Sequence, residues 1–66
     1  MDERDDLVDR LCALAGMIFE DISAEAVSTS QGTEARARKI ELIQRAAADA
    51  TSLAEAALVV LHQPAE

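Results

Sequence analysis

The chain has no tryptophan and no tyrosine, and Phe19 is its one aromatic residue. No platform exists on which bases or sugars could stack. Cysteine occurs once, at Cys12, so no disulfide can close within the chain. Histidine occurs once, at His62, and Cys–His zinc spacings are absent. Basic residues are few, six Lys and Arg against thirteen Asp and Glu, for a net charge of −7. A surface of that sign repels nucleic acid and anionic lipid. No apolar run approaches the ~20 residues of a membrane span. The opening residues, Met1-Asp2-Glu3-Arg4-Asp5-Asp6, carry the wrong charge for a secretory signal. A single unpaired thiol suits a reducing compartment. The expectation is a soluble cytoplasmic protein.

Two long helix-forming stretches make up nearly all of the 66 residues. They are parted by one polar break, Ser28-Thr29-Ser30-Gln31-Gly32-Thr33. Residues 1–66 are expected to form one all-α domain, an antiparallel helical hairpin. Its helices should cover about 2–27 and about 34–62, with a turn at 28–33. In the first stretch Leu7, Leu11, Leu14, Ile18 and Ile22 recur every three or four residues. Val8, Cys12, Ala15, Phe19 and Ala26 run beside them and widen the apolar face to about 160°. Cys12 is therefore expected to be a buried structural thiol. Gly16 lies off the centre of that face, either a tolerated edge residue or a close helix contact. Asp2, Glu3, Asp5 and Asp6 suit the first turn, where carboxylates cap free amides and oppose the positive dipole end.

The second stretch carries a heptad seam, Ile40, Ile43, Ala47, Ala50, Ala54, Ala57 and Leu61, flanked by Ala46, Leu53 and Val60. Thr33 is the expected N-cap, with Gly32 permitting the chain reversal before it. Folding the stretches back at the break pairs residues whose numbers sum to about 61. Leu7 then faces Ala54, Leu11 faces Ala50 and Leu14 faces Ala47. In that register the second helix outruns the first, and Leu58, Val59, Val60 and Leu61 project past Arg4.

One hairpin has too little interior for its size. Small domains compensate with disulfides, metals or oligomerisation, and only the last is open here. The expectation is a homodimer, two antiparallel hairpins forming a four-helix bundle with loops at opposite ends. The residues expected at the dimer or partner interface are Leu7, Leu11, Phe19, Ile22, Ile40, Leu53, Leu58, Val59, Val60 and Leu61. Val59, on the polar side, is expected to stay open for another protein.

No acid–base pair, nucleophilic triad, metal motif or cofactor motif is present, so the chain is read as non-enzymatic and cofactor-free. Arg36, Arg38, Lys39 and Arg45 form a basic cluster scattered around the second helix. They are candidates for ion pairing within or between chains, or for contact with an anionic partner. Residues 1–27 hold eight acids and two bases, net −6, so the first helix has the acidic outer face.

The hairpin layout and alternating large and small heptad packing resemble plasmid Rop, an RNA-binding antiparallel bundle. That resemblance implies the dimeric architecture. Rop binds through a basic and aromatic first helix, whereas the corresponding helix here is acidic. The leading functional reading is protein–protein interaction, as an adaptor, inhibitor, antitoxin-like neutraliser or small assembly subunit. The alternatives are a Rop-like nucleic-acid regulator using residues 36–45, and an acidic nucleic-acid mimic.

Overall fold

The computed structural model describes residues 2–64. Helix α1 covers Glu3–Val27 and helix α2 covers Gly32–Leu61. The two pack against each other as a helical hairpin, a slab 55 × 16 × 9 Å on the Cα trace.

The ends of α1 follow from local chemistry. Asp2 has extended backbone, and its carboxylate accepts the Arg4 amide at 2.7 Å. Glu3, Asp5 and Asp6 then occupy the first turn, at the positive end of the dipole. At the other end Ser28 returns to extended geometry (ψ 151°). Its hydroxyl donates to the Glu25 carbonyl at 2.6 Å and its amide at 3.2 Å. The chain therefore closes its own last turn.

Helix α2 starts earlier than the sequence reading placed it. Gly32 is its first residue, with φ +87°. Gln31 stands at the N-cap and makes no side-chain cap bond. Thr33 lies inside the helix and is not the cap. A left-handed φ costs glycine little, so the chain turns into the helix there and the connection shortens to residues 28–31.

Neither helix has a basic residue in its last turn. Each receives a cation from the other. Lys39 of α2 donates through Nζ to the Ser28 carbonyl at 2.6 Å and lies 3.5 Å from that of Ala26, at the end of α1. Arg4 of α1 donates through Nη1 to the Gln63 carbonyl at 2.6 Å, beyond the end of α2. Both charges oppose the negative dipole ends and satisfy carbonyls left over by the helices.

These bonds fix the register. Arg4 is level with Gln63, and Ser28 with Lys39. A surface groove between them agrees with this alignment, lined by Ile18, Asp21, Ile22 and Glu25 of α1 and by Leu42, Arg45, Ala46 and Asp49 of α2. Facing numbers sum to about 67, so the expected value of 61 is corrected by six residues. The physical reason is the extended connection, which travels along the axis before α2 begins. Residues 32–38 consequently project past the end of α1, by about 10 Å at ~1.5 Å per residue. The expected overhang of Leu58, Val59, Val60 and Leu61 past Arg4 does not exist.

The interior is a pair of buried and half-buried rows: Val8, Leu11, Ala15, Ile18 and Ile22 against Ile43, Ala46, Ala50, Leu53, Ala57 and Val60. In the observed register Leu11 is level with Ala57, Ala15 with Leu53, Ile18 with Ala50 and Ile22 with Ala46. Each of these layers sets one large side chain against one alanine. Among the described residues only Ala50 and Ala57 are buried, at 4% and 6% exposure, and no large side chain is fully covered.

Candidate functional site

The hairpin is a slab with two broad faces, and they differ in chemistry. Helical rotation is about 100° per residue. Anchored on the inward rows, it assigns each outward side chain to a face. Asp21, Glu25, Leu42, Arg45 and Asp49 fall on one face, where they rim the groove over Ile18, Ile22 and Ala46. Leu7 and Leu14 lie on that same face nearer the chain ends, 45% and 49% exposed.

The other face is mostly apolar and uncharged between its ends. From α1 it takes Val8, Cys12, Gly16, Phe19, Ser23 and Ala26. From α2 it takes Ile40, Ala47, Thr51, Ala54, Leu58 and Leu61. Phe19, Ile40 and Leu58 are each more than half exposed. Among the described residues, charges on this face occur only near its two ends, Asp5 on α1 and Arg36 on α2.

The heptad seam of α2 is thus divided. Its Ile43, Ala50 and Ala57 point toward α1, together with the supposed flank Ala46, Leu53 and Val60. Its Ile40, Ala47, Ala54 and Leu61 are exposed on the apolar face. Cys12, expected to be buried, is exposed beside them. Leu11, not Cys12, holds the inward position in that turn.

Of the expected interface residues, Leu11, Ile22, Leu53 and Val60 are half-buried inside the hairpin. Phe19, Ile40, Leu58 and Leu61 share the apolar face, while Leu7 is on the grooved one. Val59 points outward, away from α1, and is 64% exposed.

The basic cluster is dispersed. Lys39 is committed to the α1 terminus. Arg45 sits in the groove among Asp21, Glu25 and Asp49. Arg36 and Arg38 lie on opposite faces of the part of α2 that projects beyond α1. Arg36, Arg38 and Arg45 make no ion pair with a described residue; the salt bridges found are Arg4–Asp2 at 3.4 Å and Arg10–Asp6 at 3.0 Å. The role of Arg4 escaped the sequence reading. The one signal for it was the want of any cation in the last turn of α2.

Gly16 lies near the middle of the apolar face. A Cβ built there meets nothing within 4 Å, so nothing in this chain requires glycine. Among the described residues no three His, Cys, Asp or Glu side chains gather to hold a metal ion, and no helix is long and apolar enough to cross a membrane. No protein-family model, curated protein or solved structure matches this chain.

Proposed function

We propose that this chain works by binding proteins, without catalysis: it pairs with itself into a dimeric four-helix bundle and offers its remaining surface to another protein. One observation carries the reading. Among the described residues ten large apolar side chains stay exposed and only two residues are buried. Each large apolar side chain that is covered contributes up to about 1.5–3 kcal/mol. A hairpin with so small an interior needs several of them covered to hold its fold. A second copy supplies that cover, and a cytoplasmic setting suits the unpaired Cys12.

Val59, Met17 and Val27 lie on outward sides of the helices, where a second copy packed on a broad face does not reach them. They and the groove are the surface left for a different protein. Light scattering at micromolar concentration should give about twice the 7.1 kDa chain mass. A folded monomer whose mass does not change with concentration would overturn the dimer. Capture from native lysate with wild type and Val59→Ser side by side tests the second contact. Loss of a specific protein with the variant, at unchanged dimer mass, is the expected result. Identical retention by both would remove Val59 from the partner surface.

A further inference from the structure

Resting on the dimer reading, we infer that the second copy covers the apolar face, with its loop at the opposite end, and leaves the grooved face open. Three observations converge on this face and this direction.

The first is extent. The slab is 55 by 16 Å on its broad side. That footprint matches the roughly 800 Å² per partner of a stable interface. Between Asp5 and Arg36 no charged group would lose its water on closure. The grooved face would instead trap Asp21, Glu25, Arg45 and Asp49 between the copies, and unpaired buried charge is costly.

The second is charge. The first turn of α1 is acidic, with Glu3, Asp5 and Asp6 following Asp2. The start of α2, at the other end of the slab, carries Arg36 and Arg38. With loops at opposite ends, the basic end of each copy arrives level with the acidic turn of the other. With loops at the same end, the two acidic turns would lie side by side and repel.

The third is shape. A twofold axis across the middle of the apolar face sets α1 against α1 and α2 against α2. Ile40 then falls opposite Leu61 of the second copy and Ala47 opposite Ala54. Gly16 lies near the axis, where α1 approaches its own copy. A mid-helix glycine costs about 1 kcal/mol relative to alanine. The chain alone gives no reason for it, and a close helix crossing does.

Disulfide trapping separates this arrangement from its rivals. Ala47→Cys with Ala54→Cys, on a Cys12→Ser background, places two thiols on α2. They lie too far apart along one helix to join within a chain. Opposite-end loops bring them together across the dimer. An equal mixture of wild type, which holds Cys12, with Cys12→Ser/Ala54→Cys instead reports same-end loops, because α1 then faces α2 of the second copy, residues 12 and 54 stand level, and neither chain holds both thiols.

Mild oxidation should give a dimer-sized band with the first variant and none above wild type alone with the mixture. The reverse pattern would overturn the orientation. No band in either, from variants of dimeric mass by light scattering, would mean that another face is used. A monomeric mass for wild type and both variants would remove the dimer reading itself.

Discussion

Lys39 shows what one side chain does in this hairpin. Read along the sequence, it belongs to a basic cluster awaiting an anion. In the structure its ammonium is the cation that the end of α1 lacks. Lys39→Met keeps the stem and removes the charge. It should lower stability by about 1–2 kcal/mol, the range for one charge-assisted hydrogen bond plus a dipole contact at a partly exposed site. Urea denaturation at fixed protein concentration measures it, with Arg38→Met as the control expected to change little. Ala50 is the complementary case, its consequence set by space alone. At 4% exposure and level with Ile18, it has no room for added methylenes. Ala50→Leu should cost about 1–3 kcal/mol through overpacking, read as a lower midpoint in the same experiment. Cys12 marks the limit of what spacing tells about a residue. Its apolar neighbours are as the sequence indicates, but one position of helical rotation decides whether it faces α1's partner helix or solvent.

At the scale of elements, the two helices and the break between them were legible because period and punctuation agree. Apolar residues recur every three or four positions, acids gather in the first turn of α1, and Gly32 stands where the chain must turn. The register was not legible, for a specific reason. Ala46, Ala47, Ala50, Ala54 and Ala57 offer a small residue opposite a large one in either of two alignments. Packing complementarity is satisfied at a sum of 61 and again at 67. The choice falls to the connection, whose extended residues carry the chain along the axis, and to Arg4 and Lys39, which bolt the ends. The division of the α2 seam was hidden likewise. A wide apolar face looks like one contact in sequence, whereas here it serves α1 along one edge and stands open along the other. Gly32 is where the element boundary is most sensitive. Gly32→Ala should destabilise the hairpin by about 1–2 kcal/mol, the cost of a left-handed φ in an L residue. The Cβ meets no atom within 4 Å, so the effect is purely conformational. A circular-dichroism melt of Gly32→Ala against wild type at one fixed protein concentration checks it.

The whole molecule poses a problem of sides, since a slab with one apolar and one acid-rimmed face behaves differently toward its own kind than toward others. The charge argument for a dimer with loops at opposite ends has a direct consequence in solution. Arg36→Asp should weaken self-association about two- to fivefold, as expected for an exposed ion pair worth up to about 1 kcal/mol. Asp5→Arg in the same chain should restore it. Sedimentation equilibrium of wild type, single and double variants measures both. Added salt should shrink the difference, because separations beyond about 8 Å are screened at physiological ionic strength. Association that is unchanged by the single variant would detach the basic end from the acidic one. The projecting start of α2 also sets where the molecule opens. Residues 32–38 have no helix of their own chain alongside and no side-chain cap at Gln31. Their amides should exchange with deuterium sooner than those of residues 46–57, where α1 covers the helix. Local opening follows thin burial of this kind. The loop end is thus the molecule's weak hinge, the place where a protease would first find an extended strand to cut and where a bound neighbour would slow that cut most.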